Sequence, residues 1–326
     1  MAFTMHSHSG QFCPGHAKDQ LEDVIQHAIS IGYKSMALTE HMPRTGLEDL
    51  YPEELDDPEG SLAALMPRHE AYLVEAQRLR AKYADQIHIL IGFEGEFIRP
   101  DVYGPLVREL ASHPAVDYFM GSLHHTCGVP IDFDKDYYAK ARDAAGGTEE
   151  LLYARYYDEQ HAMVKALQPK VVGHFDLIRL MSEEPGRDLR TAWAEEKKPP
   201  GPEGTVWGRV ERNLRAVRSY DGWLECNSSA LRKGLAEPYP ARPIAEEWLR
   251  MGGKFTMSDD SHGIAQVATN YLRALDYLES LGVTEVWTLE REPLSDAQEG
   301  GGKKAMLKEK TVTLTEFREC LLSKMN

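Results

Sequence analysis

Residues 17–41 read AKDQLEDVIQHAISIGYKSMALTEH. Apolar side chains recur there at Leu21, Val24, Ile25, Ala28 and Ile29, the i, i+3, i+4 spacing of a helix with one apolar face. The run SMALTEH (35–41) follows and reads as a buried strand that finishes in Glu40 and His41. A helix, a strand and polar residues at the strand's C-terminal end form one unit of a parallel α/β fold.

The unit recurs along the chain. Strand candidates lie at 2–6, 35–41, 87–94, 117–124, 170–176, 222–228, 254–260 and 285–291. Helix candidates lie between them at 62–84, 102–113, 148–168, 206–220, 241–252 and 267–281. Strand and helix alternating about seven times predict parallel strands with helical crossovers. The number of units, and the lack of a GxGxxG loop, favour a barrel over an open dinucleotide-binding sheet. The chain, 1–326, is read as one barrel domain with a surface insertion at 182–205, SEEPGRDLRTAWAEEKKPPGPEGT. Its charge, proline and glycine mark it as an excursion. A C-terminal extension from about 292 runs through a polar link (294–306) to a short helix near 314–325.

Composition narrows the function. A net charge of −15 excludes a broad electrostatic grip on nucleic acid. No apolar run approaches the roughly 20 residues of a membrane span, and MAFTMHSHSGQFCPGH lacks the basic and apolar regions of a signal peptide. Four separated cysteines, Cys13, Cys127, Cys226 and Cys320, suit a reducing compartment, so the chain reads as cytoplasmic.

The polar residues fall at the strand ends. His6 and His8 end the first strand, with His16 just beyond in the loop; Glu40 and His41 end the second, Glu94 the third, His124 the fourth, His174 and Asp176 the fifth. Asp259, Asp260 and His262 end the seventh, and the sixth finishes instead in ECNSS. In a parallel barrel these termini converge on one mouth. Seven of 13 histidines sit there, and the other six fall mostly in or beside helices. Neutral imidazoles and carboxylates are ligands for zinc, manganese and iron. One ion takes three or four protein ligands, so His6, His8, His16, His41, Glu94, His124, His174, Asp260 and His262 point to two or three ions. Such sites activate water and stabilise phosphoryl transfer.

The runs MHSHS…CPGHA, ALTEHMP, IGFEGEF, MGSLHHT…IDFD, GHFDLI, LECNSSALRK and SDDSH, in this order from residue 5 to about 291, resemble the PHP (polymerase and histidinol phosphatase) family, in its monofunctional histidinol-phosphatase branch. The resemblance implies a distorted, TIM-like barrel of seven parallel strands with a trinuclear site of divalent ions at its C-terminal mouth. By matching motif, His6, His8, Glu94 and Asp260 would hold one ion. Glu94 would bridge to a second, completed by His124 and His174. His16, His41 and His262 would hold a third, with Glu40 orienting its neighbours. The implied reaction is hydrolysis of L-histidinol phosphate, a small phosphomonoester, in histidine biosynthesis. Arg179 and Arg232 suit the phosphate, since a guanidinium forks onto its oxygens, and Lys233 stands next in line. Asp176 fits two roles, buttressing a metal ligand or protonating the leaving alkoxide. Two departures stand out: the length of the 182–205 insertion, and Ser229-Ala230 where Ser-Gly is usual. Two other functions compete, a PHP-type phosphodiesterase or nuclease and a metal-binding protein without turnover. The first lacks a basic stripe with stacking aromatics, and the arginines speak against the second.

Overall fold

In the computed structural model, residues 1–193, 204–292 and 305–325 are described. The elements run in this order: β1 Ala2–Thr4, α1 Leu21–Ser30, β2 Tyr33–Leu38, α2 Pro58–Lys82, β3 His88–Ile91, β4 Glu94–Gly95, α3 Pro100–Ser112 and β5 Met120–Gly121. A hairpin of β6 His125–Thr126 and β7 Val129–Pro130 leads to α4 Lys135–Ala144, α5 Glu149–Leu167 and β8 Val171–Val172. Then come α6 Val206–Ser219, β9 Trp223–Asn227, α7 Ser229–Arg232, α8 Arg242–Arg250, β10 Lys254–Ser258, α9 Tyr271–Ser280, β11 Glu285–Glu292, β12 Met306–Thr313 and α10 Leu314–Met325.

The periodicities explain the elements. α1 buries Leu21, Val24, Ile25 and Ala28 and carries Glu22 and Asp23 in its first turn, where acids complement the helix dipole. Gly32, at φ +98, turns the chain into β2, a conformation that costs glycine little. Helix starts are capped: Asp57 accepts from the Gly60 N–H, Thr148 from Leu151 and Thr205 from Gly208. β9 is buried along its whole length, as strands covered on both faces are.

Two parallel sheets result, one ordered β1-β2-β3 and the other β10-β9-β8-β5-β4. The fold is α/β, but its ladders do not close into a continuous barrel. The sheets touch at their C-terminal ends through single bridges, Ser7 with Ser261 and His41 with Glu94. The last strand also departs from expectation. β11 pairs antiparallel with β12, which lies where the sequence suggested only a connection to the final helix. β12 escaped notice because Lys308, Glu309 and Lys310 interrupt its apolar pattern and, of its residues, Val312 alone is buried. Charged edge strands of this kind resist pairing with other chains.

Part of the 182–205 insertion is packed. Ser182 and Leu189 are buried, and the Trp193 ring meets Tyr153 of α5 edge-on at 5.3 Å. Residues 194–203 of that insertion, and 293–304 across the C-terminal link, lie outside the described residues. Among the described residues no helix is long and apolar enough to cross a membrane.

Candidate metal centre

The two bridges that join the sheets also build the site. Side chains alternate along a strand, so His6 and His8 share one face while Ser7 turns away to donate to the Ala37 carbonyl at 2.7 Å. Asp260 and His262 flank Ser261 in the same way. The Ser7–Ser261 bridge sets these pairs side by side, and the His8 N–H donates to the Ser261 carbonyl at 2.8 Å. The second bridge puts His41 against Glu94. Asp260 adopts φ +48, an uncommon conformation that Asp tolerates better than most residues. Gly263, at φ +134, brings the chain after His262 against Lys18 and Asp19, where an added Cβ would meet the Asp19 carboxylate at 2.8 Å.

Three groups of potential ligand atoms form. His6 Nε2 lies 2.9 Å from His8 Nε2, 3.3 Å from Glu94 Oε2 and 3.5 Å from Asp260 Oδ1. His8 Nε2 is 3.5 and 3.6 Å from the same two oxygens. Donors about 2.05 Å from a tetrahedral ion sit about 3.3 Å apart, so these four atoms fit one divalent ion. Glu94 turns its other oxygen, Oε1, to His174 Nε2 at 3.0 Å and His124 Nε2 at 3.6 Å, as a carboxylate between two ions would. The third group is His8, His41 and His262. His16 was expected in it. Its ring lies 5.2 Å from that of His41 and 4.8 Å from that of His262, while His8 takes the closer place through the Ser7–Ser261 bridge.

Acids fix the imidazoles from behind. His6 Nδ1 faces Glu225 at 3.1 Å, His124 Nδ1 faces Glu96 at 2.5 Å and His16 Nδ1 faces Glu53 at 2.6 Å. His262 donates from Nδ1 to the Asp260 carbonyl at 2.9 Å. Each partner leaves the opposite nitrogen for a ligand role. Glu40 accepts from Ser9 Oγ at 2.5 Å and stands 4.0 Å from His8 Nδ1, with no hydrogen bond between them. Sequence reading passed over Glu96 and Glu225. Glu96 follows Glu94 by two residues and so shares its face. Glu225 is an acid inside a strand of otherwise buried character, and a buried charge requires partners.

The charges call for cations. Burial opposes ionisation of Glu94 and Asp260, yet the neighbouring imidazoles, His6 foremost, hold both well below the usual carboxylate range. Burial likewise favours neutral His6 and His124; surrounding carboxylates outweigh it and raise both, His124 to about 10. Burial, reinforced by the His8 imidazole, keeps His41 and His262 well below their ordinary values, in the neutral form that ligates. His41 Nδ1 lies 3.0 Å from Glu94 Oε2, the oxygen that also faces His6 and His8.

A cavity of about 450 Å³ opens over these groups, lined by His16, His41, Glu94, His124, Asp260 and His262. Arg232 and Lys233 line its rim. Arg232 donates to the Asp259 and Asp260 carbonyls at 3.1 and 3.0 Å, which leaves donors of its five N–H groups for another acceptor. Asp176 and Arg179 are placed elsewhere, which corrects the expectation for both. Arg179 is buried, ion-paired to Asp176 at 2.8 Å, and donates to the Glu237 and Pro238 carbonyls at 2.9 and 2.7 Å. The pair lines a separate small cleft with Tyr153 and Pro185. A short helical turn after His174 carries Arg179 away from the mouth.

The family model of the PHP domain matches residues 4–229. A probable histidinol-phosphatase of Schizosaccharomyces pombe is 42% identical over 294 residues, 90% of this chain and 91% of its own length. The histidinol-phosphatase of Saccharomyces cerevisiae is 29% identical, with 96% of both chains covered. Among solved structures, histidinol phosphate phosphatase from Lactococcus lactis, complexed with zinc, L-histidinol and phosphate, matches with a TM-score of 0.60 at 19% identity, covering 88% of this chain and 96% of that one. At that identity the likeness concerns the fold.

Proposed function

The chain belongs to the PHP domain family, and we propose that it is a metal-dependent histidinol-phosphatase, releasing phosphate from L-histidinol phosphate. The observation that carries the reading is Glu94, whose two carboxylate oxygens face two different sets of buried imidazoles under an open cavity. The relationship to the histidinol-phosphatases of two yeasts supplies the substrate.

We read the two sheets as halves of a distorted barrel, supported by the bridges between them. His6, His8, Glu94 and Asp260 suit one divalent ion, Glu94, His124 and His174 a second, and His41 and His262, with His8 or His16, a third. Zinc, manganese and iron all suit these donors. Such ions supply positive charge against the phosphate and lower the pKa of water.

The chain's own groups do the rest. Glu225 and Glu96 hold the imidazoles of His6 and His124 in orientation. Arg232, anchored by two carbonyls, presents its remaining N–H groups to phosphate oxygens at the rim, where a donor fixed in advance stabilises the charge that builds during transfer. Lys233 adds a second positive charge beside it. Phosphate release from L-histidinol phosphate, set beside bis(nitrophenyl) phosphate, tests the reading. The monoester is expected to be strongly preferred; faster turnover of the diester overturns it.

A further inference from the structure

One buried tyrosine packs against histidines of two ion groups without being a ligand to either. The Tyr51 ring lies 5.6 Å from that of His41 and 6.2 Å from that of His124, and it enters the short turn Pro52–Glu54. Its hydroxyl donates to Glu96 Oε1 at 2.5 Å, the same oxygen that faces His124 Nδ1. The other oxygen, Glu96 Oε2, is buried with no hydrogen bond among the described residues. The Arg44 guanidinium lies over the Tyr51 ring, 3.9 Å from its centroid, and pairs with Glu54. Glu54 also accepts from the Tyr51 N–H at 2.7 Å, which fixes the backbone that carries the ring.

Tyr51 thus engages a cation through its face and a carboxylate through its hydroxyl. Without the hydroxyl, Glu96 would keep one partner, His124, on a buried carboxylate that requires several. Arg44 Nε and Nη1 are buried with no hydrogen bond among the described residues, and the Arg44 and Glu96 charges attract each other. A Glu96 released from Tyr51 would turn towards Arg44, because buried N–H groups without an acceptor gain most from one. His124 would then lose the support that points its Nε2 at Glu94 Oε1, 3.6 Å away.

We propose that Tyr51 is a positioning residue, its hydroxyl keeping Glu96 on His124 so that His124 holds its ion in a fixed geometry. This rests on the metal-dependent reading of the same site.

The test is Tyr51→Phe, which removes the hydroxyl and keeps the ring under Arg44. Zinc-loaded wild type and variant are dialysed against graded chelator and their zinc is measured, and kcat and KM are taken for L-histidinol phosphate. The variant is expected to release zinc at a chelator concentration about tenfold lower, the low end for loss of a group behind a ligating histidine. Its kcat should fall by a similar factor with KM unchanged. In a Glu96→Ala background Tyr51→Phe should change neither quantity further, because a residue that acts only through Glu96 has nothing left to hold. Circular dichroism checks the fold of each variant, and Tyr51→Phe decides by itself if Glu96→Ala does not fold. An unchanged chelator midpoint in Tyr51→Phe overturns the proposal. So does an undiminished effect in the Glu96→Ala background, which would give Tyr51 a route of its own. If the wild type binds zinc but releases no phosphate, the phosphatase reading fails while the chelator series still judges Tyr51; if it binds no zinc, both fail.

Discussion

Glu225 offers the sharpest test of how the cluster is held. Its Oε2 meets His6 Nδ1 at 3.1 Å and accepts from Ser258 Oγ at 2.6 Å. Its Oε1 accepts from the His174 N–H at 2.6 Å and from Asn227 Nδ2 at 2.7 Å. One carboxylate thus orients ligands of two ion groups from a wholly buried position. Glu225→Gln keeps the shape and removes half of the acceptors. If the amide oxygen stays with His174 and Asn227, the NH2 faces His6. Ser258 can rotate to accept, but His6 must then move its proton from Nδ1 to Nε2, the atom 2.9 Å from His8 Nε2. A protonated Nε2 has no lone pair to give. If the amide flips instead, its NH2 opposes the His174 N–H, and a buried donor loses its acceptor.

Loss of a carboxylate behind a ligating histidine typically weakens metal binding or activity by about 10- to 100-fold, equivalent to about 1.4–2.7 kcal/mol. The assay dialyses wild type and variant against a graded series of chelator concentrations, followed by elemental analysis and phosphate release. The variant should give up metal at a chelator concentration lower by that factor, and activity should return with excess metal. Circular dichroism without metal checks that the fold persists. An unchanged chelator midpoint, with the fold intact, would refute the argument that Glu225 sets the His6 tautomer.

Arg232→Ala should lower kcat/KM for L-histidinol phosphate on the order of a hundredfold, as loss of one fixed donor can, with lysine restoring only part because it lacks the fork. Metal content should stay the same; its loss would mean that Arg232 serves mainly to hold the Asp259 and Asp260 carbonyls. Elemental analysis of active protein should find about three ions per chain, and one ion or none would sink the trinuclear reading. His124→Ala should cost orders of magnitude in activity with the circular dichroism spectrum retained; full activity would remove His124 from the site.

Much of the site was legible because it is local. The i, i+3, i+4 stripe of 17–33 and the apolar run after it place a strand end at Glu40 and His41. The same rhythm puts His6, His124, His174 and Asp260 at other strand ends. His-x-His and Asp-x-His each point two ligands one way, since side chains alternate with period two. The misreadings have a local cause as well. Arg179 looked suited to phosphate because it follows His174 by five residues, but a turn of helix sends it into contact with Asp176 and the Glu237 and Pro238 carbonyls. β12 reads as solvated chain because its identity as a strand comes from pairing with β11.

The amino-acid sequence by itself determined which residue types stand at which strand ends, and hence that imidazoles and carboxylates gather at one mouth. Tertiary structure alone decided how they are shared. That His8 joins His41 and His262, that Glu94 divides its oxygens between two groups, and that Glu225 stands behind His6 depend on the bridges Ser7–Ser261 and His41–Glu94 and on the β8-β9-β10 register. The reason is distance along the chain. Periodicity constrains neighbours a few residues apart, whereas His6 and Glu225 are 219 residues apart. They meet because parallel strands bring remote segments together and because a buried carboxylate and a buried imidazole each require a partner.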